Sequence, residues 1–500
     1  MNRESKARLN IYISLLGQAV VLVCGLIVPR FFLEAFGSEA YGAIASISQF
    51  LSYITLLEGG IGGVARASLY KPLAEKNYVT VSKVICEIKR FFKVIGTVFF
   101  VYVIILAFSF HSIANVTCFD GLTTFLLVLI ISLSTFAQYF IGISYSVLIQ
   151  ADQKTYITEI INSTAIIANA VLTVILIKWG CGIVVVKLIS SIVFATRPFL
   201  TWVYVKKKYE LTDVSDNHTK YLKDKWTGLG QHLAFFVHNN TDIFVLTLLD
   251  NLKSVAIYSV YNMVIANVQN VVASFSTGME AYFGDMIAKK EWKLFNEKFS
   301  VYETLISIIS CILFGVTMIM IVPFVRLYTN SINDANYTQP AFAFLLVGAL
   351  LFYCWMLPYN KTVLAAGHFR QTQWGPYGEA IINIVLSVIL VWKFGLVGVA
   401  IGTLVATIYC YIYYAIYLVK NICKRSIFLL EKRLIVNFIN LLAIVFPSLL
   451  ILQKVSINNY FIWILSSSFV TVYAIGITFL INLMVYNKYT KMAGKLLLKK

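Results

Sequence analysis

Charge is scarce in this chain of 500 residues: 13% are Asp, Glu, Lys or Arg, while 59% are hydrophobic. Soluble globular proteins carry roughly 25% charged residues, so a mean hydropathy of +0.80 excludes that class and marks an integral membrane protein. Catalytic signatures are missing too. There is no GxSxG, P-loop, HExxH or DxD pattern, and no large extramembrane domain to hold one. Without an ATP site, any transport is expected to run on an ion gradient or the membrane potential. The eight cysteines are scattered, mostly in apolar runs, with no CxxC or Cys/His spacing, so neither a disulfide framework nor a zinc site is indicated. Acids are outnumbered, 23 against 41 basic residues, for a net charge of +18. Those basic residues fall in loops between apolar spans and form no aromatic-interleaved patch, which points away from nucleic acid.

What is abundant is apolar length. Runs of roughly 20 apolar residues predict about fourteen transmembrane helices, among them 41–66, 121–150, 254–287, 434–453 and 458–486. The first run, from Ile11 to about Pro29, is too long for a signal-peptide core and lacks a small-residue cleavage site, so it is expected to remain as a membrane helix. Alternate loops differ in charge. One set holds Lys71, Lys76, Lys83, Lys89 and Arg90, then Lys206 to Lys225, then Lys289 to Lys298, and continues with Lys420, Lys424, Arg425, Lys432 and Arg433. The opposite loops carry about one basic residue each, so the positive-inside rule places both termini in the cytoplasm. Val81, Val84, Ile85, Ile88 and Phe92, and again Trp292, Phe295 and Phe299, recur at helical spacing. Each set predicts an amphipathic helix on the cytoplasmic surface. Pro198, Pro358 and Pro376 fall inside spans and are expected to kink them.

The chain also repeats itself. NAVLTVILI from Asn169 matches NIVLSVILV from Asn383 at six of nine positions, and VLIQADQK from Val147 lies over VLAAGHFR from Val363. An offset near 215 residues moves the chain by six helices and preserves orientation, which predicts parallel repeats around a central cavity. The expected fold is an all-α membrane bundle of two six-helix lobes, 1–215 and 216–430, followed by two extra helices and a basic tail in 431–500.

Ionisable residues inside spans are expensive and are candidates for function. They are Glu58, Arg66, Glu159, Lys187 and Arg197 in the first half, and His232, His238, Asp242, Glu280, Lys361 and Glu379 in the second. The competing structural reading for each is a snorkelling end residue or an ion pair. In ITLLEGGIGGVARASLYKPLAEK, Glu58 is followed by Gly59, Gly60, Gly62 and Gly63 and then by Arg66. Those glycines suit close helix packing or a locally opened backbone beside a cavity. Glu58 and Asp242 are deep enough to bind a proton or Na⁺. Arg66, Lys187, Arg197 and Lys361 would make a cationic lumen that holds an anion such as pyrophosphate.

LLEGGIGGVARASLYKPLAEKN, VPRFFLEAFGSEAYGAIASISQFL and the VLIQADQK and VLAAGHFR turns resemble the Wzx-type oligosaccharide flippases of the multidrug/oligosaccharidyl-lipid/polysaccharide exporter superfamily. Where relatives often have Asp-Leu, this chain has Glu58-Gly59. The resemblance implies a V-shaped bundle, alternating access, H⁺, Na⁺ or potential coupling with no bound cofactor, and an undecaprenyl-pyrophosphate-linked oligosaccharide as cargo in the bacterial inner membrane. Membrane lipids and polysaccharide assembly proteins are the further partners it implies. A multidrug exporter or lipid II flippase of the same superfamily, and a membrane polysaccharide polymerase, are the alternatives.

Overall fold

The computed structural model describes residues 3–58, 61–212 and 229–498, which form helices and turns and no strand. Gly59, Gly60, Lys220, Lys223 and Lys225 lie outside the described residues, as do the side chains of Arg3, Arg8, His232 and His238. Among the described residues, twelve helical stretches are long and apolar enough to cross a membrane. The chain is a multi-pass membrane protein.

The difference between twelve and the fourteen counted in the sequence has two sources. The first stretch, Tyr12–Glu58, has 47 residues, more than twice what a bilayer core of roughly 30 Å accommodates at 1.5 Å per residue. Gly37, at φ 81° and ψ 172°, divides helix α1 (Arg3–Ser52) into two helices, a backbone geometry that glycine reaches because it lacks a Cβ. The other source is α8 (Leu229–Leu249), in which only Asn240–Leu249 counts as an apolar helix, and a short one.

The chain divides into two compact units, Met1–Phe236 with Asn251–Ala256, and Val237–Asp250 with Ile257–Lys500. Beyond α1, the first unit holds α2 (Ile61–Ala74), α3 (Tyr78–Ile113), α4 (Gly121–Ala137), α5 (Ile143–Ala151), α6 (Thr155–Lys178) and α7 (Ile183–Lys208). The second is built mainly from α9 (Leu252–Ser274), α10 (Met279–Ala288), α11 (Trp292–Tyr328), α12 (Pro340–Ala365), α13 (Trp374–Phe394), α14 (Leu396–Leu418), α15 (Ile427–Leu452) and α16 (Tyr460–Leu498). The expected span 254–287 is broken between α9 and α10, where Gly278 takes φ 81°.

Neither expected surface helix is separate. Asn77 caps α3 by accepting from the Thr80 amide, and α3 then runs unbroken for 36 residues, because no glycine or proline interrupts it between Tyr78 and Phe92. Val81, Val84, Ile85, Ile88 and Phe92 are all buried in protein, as are Phe295 and Phe299 at the start of α11. Trp292 is 44% exposed, and the other residues of both stripes are buried against protein. Pro198 and Pro358 do sit inside α7 and α12, but Pro376 occupies the first turn of α13, where the missing N–H costs nothing.

The central pillar of the second unit is α11, buried on most sides by α10, α12, α15 and α16. Ile308, Ile312, Ile319 and Met320 pack there with Ile444, Val470 and Ala474. Arg433 lies inside α15 and is only 3% exposed, although its charge groups it with the basic loops in the sequence.

Candidate functional site

The acid-glycine stretch is where the first unit opens its backbone. After Ser52 the α-helix gives way to a 3₁₀ turn, Tyr53–Glu58, and α2 begins at Ile61. A Cβ on Gly63 would meet open space, and one on Gly62 would come near only the Arg66 side chain, so these two glycines serve an open wall and not a tight helix contact. Glu58 at the end of the turn accepts a 2.5 Å hydrogen bond from the Tyr139 hydroxyl.

Tyr139 reaches Glu58 because the transmembrane helix carrying it changes pitch. Between α4 and α5 the chain forms a π-helical turn, Gln138–Gly142, a distortion that shifts helix register and recurs at functional sites. Gly142 meets Pro198 of α7 so closely that a Cβ there would come within 2.4 Å of the proline. This contact sets α7 against the π turn and brings the neighbouring Arg197 to the same place. Arg197 donates from Nε to the Phe194 carbonyl at 3.2 Å and stacks over the Phe194 ring, leaving the far end of the guanidinium for a ligand.

Together these elements line an open cavity of about 390 Å³ in the first unit, and each of its thirteen lining residues carries a polar side chain. Glu58 and Glu159 are the acids, Arg197 the base, and Gln138, Gln150 and Asn162 the amides, with Tyr139 and the hydroxyls of serines and threonines completing the wall. Arg66 stands just behind, donating to Gln150 Oε1 at 2.9 Å. A second cavity of about 410 Å³ shares Thr55, Ser134 and Thr135 with the first and is lined by Lys187. Lys187 lies 4.5 Å from the centre of the Phe32 ring. The first unit therefore gathers Glu58, Arg66, Lys187 and Arg197 along one polar track. Its charges are mixed, since Glu58 and Glu159 share it with the three bases.

The turn between α5 and α6 carries residues from both sides of this cavity, Gln150 before it and Thr158 and Glu159 after it. It is clasped by Asp152, whose carboxylate accepts from Lys154 at 2.7 Å, Lys6 at 3.2 Å and the Tyr209 hydroxyl at 2.5 Å. Asn10 donates to the Gln153 carbonyl and accepts from the Tyr156 amide. Burial pushes the Asp152 carboxyl up, but the bonds from Lys154, Tyr209 and Lys6 outweigh it and hold the group below the usual carboxylate range. Burial also opposes the Lys154 charge, and Asp152 more than compensates, raising it. A lowered carboxyl contributes stability above its ordinary pKa and loses it as pH falls through the lowered value. Asp152→Asn is accordingly expected to cost about 1–2 kcal/mol. In thermal unfolding of the purified protein, that deficit should stay constant from about pH 5 to 9 and close only in stronger acid.

The remaining candidates lie in the second unit. Lys361 stands 3.9 Å from Glu280 in a half-exposed ion pair. Asp242 on α8 is 3% exposed. Its oxygens accept from the Thr403 hydroxyl at 2.9 Å and from Tyr258 at 3.0 Å, with the Asn383 amide nitrogen at 3.4 Å. Glu379, one turn before Asn383 on α13, is buried as well. Hydrogen bonds to a charged group are worth about 1.5–3 kcal/mol each, enough to offset a mid-membrane carboxylate's cost of about 2.5–3.5 kcal/mol. Thr403 also approaches the Val399 carbonyl at 3.0 Å, and Asn383 Oδ1 is buried with no protein hydrogen-bond partner. One hydroxyl proton cannot serve all of Thr403's acceptors. The centre is rich in oxygen, with Asp242 carrying the formal negative charge among these contacting groups, a donor set suited to a small monovalent cation or a proton.

No protein-family profile and no curated protein sequence matches the chain. Solved structures do. The lipid II flippase MurJ in an inward closed conformation superposes with a TM-score of 0.71 at 16% identity, covering 95% of this chain and 99% of that one. An inward-facing multidrug resistance MATE family transporter of the MOP superfamily gives a TM-score of 0.63 at 14% identity over 80% of this chain and 95% of that one. The MATE multidrug transporter DinF-BH, solved as a complex, gives 0.56 at 16% identity over 84% and 96%. This chain thus has the transporter fold found in a lipid II flippase and in multidrug exporters.

Proposed function

We propose that the chain is a flippase that moves undecaprenyl-pyrophosphate-linked oligosaccharide from the cytoplasmic to the periplasmic leaflet of a bacterial inner membrane, for surface polysaccharide synthesis. The observation that carries this reading is the lining of the first-unit cavity, thirteen polar side chains of which most are hydroxyls and amides. Sugars present hydroxyls at every position, and a wall of donors and acceptors recognises them where an apolar wall would not. Arg197 and Lys187 take the pyrophosphate, whose oxygens make charge-assisted bonds to guanidinium and ammonium groups. The polyprenyl tail stays in the bilayer while the two lobes alternate access. Asp242 with Thr403 and Asn383 binds Na⁺ or a proton and couples its gradient to the cycle, and the Glu58–Tyr139 pair is the second candidate for protons.

A second reading, a cation-coupled multidrug exporter, is favoured by one observation, the presence of Glu58 and Glu159 in the cavity. A lipid II flippase is the variant of the main reading in which depletion causes lysis instead of loss of a surface polymer. Cysteine labelling separates the cargoes. Ser134→Cys places a thiol where the two cavities meet, and a membrane-impermeant thiol reagent should modify it in membrane vesicles, the site being read by mass spectrometry. Added undecaprenyl-pyrophosphate oligosaccharide should slow the reaction several-fold, and a cationic dye should not. Protection by the dye alone would transfer the cavity to the second reading, and absence of labelling would mean that it is dry.

A further inference from the structure

In the second unit, α11, α15 and α16 press polar residues together on helices other than those that build the Asp242 centre. On α11 these are Glu303, Thr304, Ser307 and Ser310, and on α15 they are Arg433, Asn437 and Asn440, all at most 9% exposed. The spacing of three and four residues puts each set on one helix face. Arg433 Nη2 donates to Thr304 Oγ1 at 2.9 Å, and Asn437 Nδ2 to Ser307 Oγ at 3.3 Å. These direct bonds leave much unsatisfied. Arg433 Nε and Nη1, Ser310 Oγ and the Oδ1 atoms of Asn437 and Asn440 are buried without a protein partner, as are Thr478 Oγ1, Asn482 Oδ1 and Tyr486 OH on α16. Eight such groups would together cost about as much as a typical fold's whole net stability, which favours a small occupant that satisfies them.

Charge says what that is. Glu303 Oε2 lies 3.6 Å from Arg433 and 3.9 Å from Arg425, and Glu303 Oε1 accepts from Tyr359 at 2.5 Å. One carboxylate serves two guanidiniums. Lys432 lies 5.6 Å from the Tyr486 ring centre, the ring that covers Arg433 at 3.8 Å, and so adds positive charge. Glu297 is paired with Lys488 at 2.8 Å. An arginine keeps its charge in proteins, and an uncompensated one in a membrane span is strongly disfavoured. At the other end of the seam, Ile312, Met320, Ile444, Val470 and Ala474 close it with apolar packing.

We propose that this blind seam holds a small inorganic anion, chloride in size and charge, on the free Nε and Nη1 groups of Arg433, with water joining the remaining hydroxyls and amides. The anion neutralises the Arg425–Glu303–Arg433 cluster and fastens α15 and α16 to α11. It is therefore a structural ligand of the C-terminal helix pair.

The test is thermal unfolding of the full chain in detergent at constant ionic strength, with chloride exchanged for gluconate. Chloride or bromide should raise the unfolding temperature saturably by a few degrees, Arg433→Gln should abolish the dependence, and Lys454→Gln should keep it. Equal unfolding temperatures of the wild type in chloride and gluconate would overturn the proposal. If Arg433→Gln does not fold, crystals of the wild type grown in bromide decide. An anomalous peak within hydrogen-bonding distance of the Arg433 guanidinium supports the site, and density without anomalous signal there leaves water as the occupant and overturns it.

Discussion

Translocation of lipid-linked oligosaccharide by Arg197→Ala protein in proteoliposomes is expected to fall about 10- to 100-fold, because charge-assisted bonds to phosphate are worth about 1.5–3 kcal/mol and each 1.4 kcal/mol is a factor of ten. The side chain is held by the Phe194 carbonyl and ring, so its removal takes away a preorganised donor together with its stacking contact on that ring. Arg197→Lys keeps the charge but loses the planar fork, and should recover only part of the rate. Lys187→Ala, at the neighbouring cavity, should act in the same direction. Unchanged rates in both alanine variants would remove the anion-holding role from this track.

The second large effect is expected at Asp242. Asp242→Asn preserves shape while removing the formal negative charge that the Thr403, Tyr258 and Asn383 groups surround. Transport driven by a Na⁺ or proton gradient should lose its dependence on that gradient, while residual equilibration down the substrate gradient persists. The lost charge-assisted bonds should also lower stability by about 1.5–3 kcal/mol, readable as a drop in unfolding temperature measured in the same detergent. A variant that keeps both its gradient response and its stability would reduce Asp242 to an ordinary buried acid.

Much of this is legible in the chain. Apolar length and the charge of alternate loops give the membrane class directly, and the Glu58 stretch marks the place where the helix opens. Asp242 stands out because a lone acid in an apolar run is too costly to keep without dedicated partners or a task. The cavity wall does not stand out. Ser134 and Gln138 lie four residues apart, as do Ser146 and Gln150, and as do Thr158 and Asn162, a one-face spacing that could have found it. Neutral polar residues are common in membrane helices, however, where hydroxyls bond to their own helix carbonyls, as Thr158 does to Thr155. The π turn at Gln138–Gly142 also breaks the register that joins the first pair to the second. Arg433 is hidden for another reason. Beside Lys432 it reads as part of a basic loop, and only the packing of α11 and α16 against α15 reveals it as buried. The two expected surface helices fail because a helical apolar stripe looks the same whether lipid or protein covers it.

The most direct test of the central claim is reconstitution of the wild-type chain with a labelled undecaprenyl-pyrophosphate oligosaccharide in one leaflet and a cationic dye in the lumen, following both at once. The oligosaccharide should become accessible to a lectin on the opposite face much faster than in protein-free vesicles, while the dye stays where it began. Dye moving against its gradient, with the oligosaccharide crossing no faster than in bare lipid, would contradict the claim.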